Sequence, residues 1–189
     1  ADDALAFCGG IDATEDRWDT PDHLPHDPRR LRKDGTPSDP WHDATSAMSG
    51  PAAAALGELS RRRWFRATGD EIARPEDAPM SEWPEDLPID AEGVEVGIAR
   101  TEPPFDEEPM INEIERLYIA GIQSARDYIY IESQYLAAAS VCDALRARLA
   151  EEDGPEVVII NPRDAESQLE DDAMHVLRER LVEELKRAD

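Results

Sequence analysis

Lysine is almost missing from this chain: of 20 basic side chains only Lys33 and Lys186 are lysine, and they face 44 acids, for a formal net charge of −24. A surface this negative repels nucleic-acid phosphates and anionic headgroups, which argues against a general nucleic-acid binder. It also repels itself. Salt screens that repulsion over about 8 Å at physiological ionic strength and about 3 Å at 1 M. A Lys-poor, Asp/Glu-rich face therefore suits a protein working in concentrated salt. Cysteine is scarce as well. Cys8 and Cys142 both sit in apolar surroundings and read as small buried hydrophobes in a reducing compartment, with no disulfide framework and no metal spacing between them. No run reaches the ~18–20 apolar residues of a helical membrane span, and no basic-then-apolar leader opens the sequence.

What is present suffices for a core: 189 residues, 40% of them hydrophobic, are compatible with one folded domain. Near the start, the apolar run Ala4–Phe7 stops at Gly9-Gly10, with Asp2 ahead of it and Asp12 behind. The run reads as a buried strand. Its glycines permit close backbone approach or a positive φ, and leave amides to face an anion. From residue 14 to residue 40 the chain is polar and broken by Pro21, Pro25, Pro28, Pro37 and Pro40, which predicts a long ordered loop of the kind that is usually functional or disordered. Within it, Arg17-Trp18-Asp19 is either an anchored turn with its charges paired or a shaper of a substrate pocket. Trp41-His42-Asp43 follows Pro40 as a short extended entry. Adjacent residues on extended backbone face opposite ways, so His42 reads first as a structural histidine satisfied by a neighbour.

Ser49-Gly50-Pro51 opens a helix, with Ser49 as its cap and Pro51 near its first position. Ala52 to Ala55, Leu56, Leu59 and Trp64 follow as good helix formers with an apolar stripe. Arg61-Arg62-Arg63 is the densest basic cluster. It either neutralises nearby acids, the commoner case, or meets lipid phosphate. Residues 67–93, rich in acids and proline, read as a linker. Val94 to Ile98 alternates like a strand. Then come a helix over Ile111–Ala125, a strand over Tyr128–Glu132, a helix over Val141–Leu149, a stop at Gly154-Pro155, a strand over Val157–Ile160 and an amphipathic helix over Leu169–Leu185. Alternating strands and helices predict an incomplete α/β fold, a layered parallel or mixed sheet flanked by helices. In such sheets ligand groups gather where strands end, as Glu132-Ser133-Gln134-Tyr135 does.

Asp2, six residues, Gly9-Gly10, one residue and Asp12 resemble the tail of the HxKxxxxDxxxxxxGGxN motif of the phospholipase D superfamily. The resemblance continues in order through Arg17-Trp18-Asp19, Pro40-Trp41-His42-Asp43, Gly50-Pro51-Ala52-Ala53, Arg63-Trp64 and Arg100-Thr101. It ends with Ile129-Tyr130-Ile131-Glu132-Ser133-Gln134-Tyr135, similar to the family's IYIENQY. Asp12 departs from the superfamily's Asn, as phospholipases D proper often do, and Ser133 stands where the family has Asn. These landmarks fit phospholipases D more closely than nucleases or cardiolipin synthases.

The resemblance implies a phosphodiesterase without metal or other cofactor. One histidine forms a phosphohistidine, a second serves as acid and then base, and lysines grip the phosphate. It implies that Asp2 orients a catalytic histidine. Gly9, Gly10, Asp12, Trp41 and His42 then support the phosphate pocket, and Glu132 and Gln134 line it. No His-x-Lys occurs in the chain; its four histidines are His23, His26, His42 and His175. The expectation is a piece lying between the two HxK elements. Residues 1–66 would end the first catalytic half, 67–93 would link, and 94–189 would start the second. Such a piece is inactive without the remainder of its own chain. Phospholipid and a membrane surface, met peripherally, are the expected partners, and cytoplasm or membrane periphery the expected location. Two alternatives remain: an inactive acidic scaffold of the same fold, or a cardiolipin synthase- or nuclease-type member.

Overall fold

The computed structural model describes residues 3–75, 83–162 and 176–188. The chain divides into two compact units, Ala1–Val96 and Gly97–Asp189.

In the first unit, strand β1 (Leu5–Gly9) pairs antiparallel with β2 (Thr45–Ser49), Leu5 opposite Ser49 and Gly9 opposite Thr45. Helix α1 (Pro51–Thr68) packs on this pair. Pro51 takes the first helical position, where its missing N–H costs nothing. The cap is Gly50, at φ +71° and ψ −145°, a region that side-chain-bearing residues avoid. Ser49 is therefore no cap: it is the last residue of β2, and no side chain caps the helix. At the far end Gly69 turns left-handed and its N–H donates to the Phe65 carbonyl at 2.7 Å, a familiar helix stop.

The opening strand is not buried as its apolar run suggests. Leu5 is buried, but Phe7 is 58% exposed and Cys8 is exposed too. Two strands under one helix shield only the end near Ala53. Cys142, by contrast, is buried, and that burial pushes its thiol pKa up.

Between β1 and β2 runs the long loop, with a 3₁₀ turn at Glu15–Arg17 and a bridge between Leu31 and Pro37. Its order comes from charged hydrogen bonds. Arg30, 2% exposed, donates to the carbonyls of Trp18 (3.4 Å) and Leu24 (3.0 Å) and to the Asp19 carboxylate (2.8 Å). Asp27 is buried and accepts from the backbone N–H of Arg29 and from its guanidinium.

In the second unit, β3 (Thr101–Glu102) pairs antiparallel with β4 (Ile111–Asn112), and β5 (Tyr128–Glu132) pairs parallel with β6 (Glu156–Ile160). Helices α2 (Glu113–Ser124), α3 (Ala139–Leu149) and α4 (Val176–Ala188) complete it. The fold is α/β, with α3 as the crossover that parallel neighbours require. Alternation sets the faces: Ile129, Ile131, Val157 and Ile159 turn to the helices and join Ile122, Leu136, Cys142, Leu145, Leu181 and Leu185 in one core. Tyr128, Tyr130, Val158 and Ile160 occupy the other, exposed face.

One correction concerns the stretch where the two units meet in the sequence. Val94 to Ile98 forms no strand, and Val94 and Val96 are exposed; alternation without a hydrogen-bonding partner does not make a strand, and pairing starts only at Thr101, opposite β4. Among the described residues β5 and β6 pair parallel and the other two sheets are antiparallel, in keeping with the mixed pairing expected of this fold. Of the helix expected over Leu169–Leu185, the part before residue 176 lies outside the described residues.

Candidate functional site

In the first unit Gly9, Gly10 and Asp12 follow one another at the end of β1, and the entry to β2 stands beside the two glycines. Gly9 is required by close approach, since a Cβ there would lie 2.1 Å from Thr45 Oγ1 and 2.8 Å from Thr45 Cα. Neither Gly9 nor Gly10 has a positive φ. Beside Gly10 stands the Asp43 carboxylate, 3.0 Å from where a Cβ would sit. Asp43 is braced by the backbone N–H of Ala44 at 2.6 Å.

Arg17 gathers the rest. Its guanidinium carbon lies 3.6 Å from the centre of the Trp41 ring, a cation–π contact. It donates to Asp16 at 2.7 Å and sits 3.9 Å from the exposed Asp12 carboxylate. Arg17 itself is largely buried, at 14% side-chain exposure. Trp41 is half-buried and His42 exposed. Ile11, Asp12, Thr14, Arg17, Trp18 and Leu31 border an open depression of about 520 Å³ at this end of the unit. Arg17-Trp18-Asp19 thus forms an anchored turn with its charges paired, and the same anchoring shapes the depression.

Electrostatics hold the loop below. Hydrogen bonds from Arg29, side chain first and backbone second, bring the Asp27 carboxyl down to about 2. Asp19 is held well below the usual carboxylate range by hydrogen bonds from His23, the Thr20 N–H and Arg30. Arg61 of the basic cluster neutralises acids, meeting Asp3 and Glu58.

In the second unit Glu132 and Gln134 are exposed at the carboxyl end of β5. The Tyr130 hydroxyl donates to the Glu132 carboxylate in a short hydrogen bond, which raises the phenol's pKa. Ser133 builds the turn between them. Its N–H donates to the Ile160 carbonyl, its carbonyl accepts from Asn161, and its hydroxyl accepts from the Leu136 N–H. That last bond braces Leu136, buried at φ +42°. Upstream, Arg100 grips Glu113 with its N–H, Nε and Nη2 at 3.0, 2.9 and 2.8 Å, which lowers the Glu113 pKa and ties β3 to the start of α2.

Asp2 lies outside the described residues. Its neighbour Asp3 shows what sequence reading missed: a bidentate pair with Arg61, 58 positions away, packed against Gly57. The available signal was Gly57 itself, a glycine inside an otherwise Ala- and Leu-rich helix. Among the described residues no three His, Cys, Asp or Glu converge as a metal site, and no helix is long and apolar enough to cross a membrane.

No family model matches the chain. Curated relatives do. Phospholipase D alpha 1 of Vigna unguiculata is 27% identical over 175 residues, covering 72% of this chain and 22% of the relative. Phospholipase D alpha 1 of Nicotiana tabacum is 28% identical over 176 residues, with the same shares. Phospholipase D beta 1 of Arabidopsis thaliana is 28% identical over 185 residues, covering 72% of this chain and 17% of the relative. The chain spans about a fifth of the length of these relatives. With the landmarks in one order from Asp2 to Tyr135 and this likeness beside them, the chain is similar to plant phospholipases D over 72% of its length.

Proposed function

We propose that this chain is part of a phospholipase D-type phosphodiesterase that hydrolyses a phospholipid such as phosphatidylcholine to phosphatidic acid and alcohol, or transfers the phosphatidyl group to another alcohol. One histidine nitrogen attacks phosphorus while a second histidine protonates the departing alcohol; water or an acceptor alcohol, deprotonated by that second histidine, then breaks the P–N bond. Lysines stabilise the charge on the phosphoryl oxygens. Both His-x-Lys pairs belong, on this reading, to the rest of the parent protein, and the 189-residue chain alone is inactive.

The observation that carries the reading is that Arg17 holds Trp41 and stands near Asp12, the acid two residues beyond the twin glycines that end β1. A carboxylate beside a bound phosphate is repulsive unless paired, and Arg17 supplies the partner. Asp2 orients a catalytic histidine, Gly9, Gly10, Asp12, Trp41 and His42 support the phosphate pocket, and Glu132 and Gln134 line it. The substrate is met peripherally at a membrane surface, the protein residing in the cytoplasm or at the membrane periphery, without nucleic acid as a partner.

The parent gene and a release assay test this. The codons upstream of Ala1 should encode His-x-Lys with four residues between that Lys and Asp2. The full-length protein should release headgroup from phosphatidylcholine vesicles. Absence of the motif leaves the inactive-scaffold reading. Turnover of phosphatidylglycerol or single-stranded DNA in place of phosphatidylcholine moves the chain to the cardiolipin synthase or nuclease branch.

A further inference from the structure

The long loop of the first unit is built inside out. Its charged residues Asp27 and Arg30 are buried, while Trp18 and Leu31 are 43% and 49% exposed. Ile11, 43% exposed, borders the same depression as those two. Scattered apolar side chains on a surface need no explanation, but an apolar rim gathered over buried charges does.

The buried charges hold Trp18 from two sides. Arg30 donates through Nε to the Trp18 carbonyl at 3.4 Å and is paired with Asp19 at 2.8 Å. Asp27, its side chain 1% exposed, binds Arg29 at 2.6 Å, and the Arg29 guanidinium carbon lies 5.5 Å from the centre of the Trp18 ring, within cation–π range. Taking a carboxylate or a guanidinium out of water is costly unless it is paired. In this loop the paired charges keep an indole fixed at the surface, where a loop collapsing on its apolar residues would have turned it inward. Leu31 is set by the same backbone: its N–H donates to the Arg29 carbonyl at 3.0 Å, and it bridges to Pro37.

The rim around these side chains carries both signs. Arg29 is 60% exposed, and the exposed Glu15 lies on the same border. A zwitterionic headgroup, with one phosphate and one ammonium, complements such a rim. An anionic surface does not, and it also meets the −24 charge of the whole chain. Tryptophan suits the boundary of lipid and water, being apolar in body with one polar N–H.

Resting on the functional reading above for its choice of lipid, we propose that Ile11, Trp18 and Leu31 dock the protein on a zwitterionic lipid surface. Their side chains enter the headgroup layer, with Arg29 meeting phosphate and Glu15 meeting ammonium. The three apolar side chains do not touch the reacting atoms. Docking of this kind scales with apolar area and needs no lysine-rich patch.

The test uses the full-length parent with vesicles of phosphatidylcholine, vesicles that also contain phosphatidylglycerol, and monomeric short-chain phosphatidylcholine. Wild type should sediment with the phosphatidylcholine vesicles, and less with the anionic mixture. Leu31→Ser should weaken that partition about 5-fold, the scale of losing half of a leucine's burial from water. Trp18→Ala should weaken it about 10-fold, the indole being larger. Both should lose turnover of vesicle lipid in proportion, while turnover of monomeric lipid stays within about twofold. A damaged fold or a damaged pocket would lower both turnovers. Thermal melts accompany the variants, and if Trp18→Ala melts below the assay temperature, Leu31→Ser decides. Unchanged partition in the variants, tighter binding to the anionic vesicles, or an active wild type that binds no vesicle overturns the docking surface alone. A wild type that docks through Trp18 and Leu31 yet releases no headgroup overturns the functional reading and leaves the docking surface standing. A wild type that does neither overturns both.

Discussion

The two units are held together by different forces. In the first, the buried residues among those described are Leu5 and Ala53 together with two charged ones, Asp27 paired with Arg29 and Arg30 paired with Asp19. In the second, Ile122, Ile129, Leu136, Cys142, Leu145, Leu181 and Leu185 form a continuous apolar core, and Glu102 is the buried charge. Apolar burial is non-directional and scales with area. Hydrogen bonds to ionised groups are directional, and respond to pH and to salt. The depression and its Arg17 hub therefore sit in the unit whose shape depends on protonation, while the Glu132–Gln134 turn sits on a scaffold set by packing.

That contrast predicts separable responses. The largest belongs to the second unit: Leu145, fully buried, replaced by Ala should cost about 2–5 kcal/mol. Amide exchange should show protection lost in α3 and β5 but kept in the loop of the first unit. Equal loss in both would remove the distinction.

Next is Arg30→Gln, which leaves the part-buried hydrogen bonds to the carbonyls of Trp18 and Leu24 and to the Asp19 carboxylate without their donor. It should cost roughly 1–3 kcal/mol, read as weakened protection in residues 18–31 with the second unit unchanged. Limited proteolysis of that loop gives an independent check.

Acid comes third. The Asp27 carboxyl is lowered to about 2 and Asp19 is lowered as well. Groups whose folded pKa is depressed stabilise the fold above their unfolded pKa of about 3.9, and that stability disappears as pH falls through the folded value. The first unit should loosen between about pH 4 and pH 2, Trp18 and Trp41 becoming more exposed to a fluorescence quencher, while the second keeps its helical signal. Loosening near neutrality would contradict the assignment.

Salt separates the units least. The −24 charge predicts that molar KCl raises the urea midpoint of the whole chain by screening self-repulsion. A flat response would show the acids to be an ordinary solvated surface. The exposed Arg146–Asp143 pair at 2.8 Å should contribute no more than about 0.5 kcal/mol, as Asp143→Asn would show.

Reading of the sequence went furthest where information is local. Tyr128–Glu132 is the expected strand residue for residue, and the start of α1 at Pro51 follows from proline's fixed φ and missing N–H. It went astray where a neighbour decides. Phe7 and Cys8 look buried by type, yet a two-stranded sheet leaves them in solvent. Val94 to Ile98 alternates without a partner strand. Ser49 has the chemistry of a cap, yet β2 claims it. Among site residues, the ordered landmarks located Gly9, Gly10, Asp12, Trp41, His42, Glu132 and Gln134 along the chain. They did not say that Arg17 would bind Asp12 and Trp41 together.

By itself, then, the sequence determined the helical and strand segments with strong periodicity, the proline and glycine boundaries, the overall acidity and the likeness to phospholipases D. Those follow from propensity, steric limits and charge count, which act within a turn or strand or need no geometry. Only the tertiary structure decided that Arg61 would choose Asp3, that Gly57 would make room for it, and that Gly9 answers to Thr45. Partner choice among many acids and few bases depends on which side chains the backbone brings within hydrogen-bond reach, and distance along the chain carries no record of that.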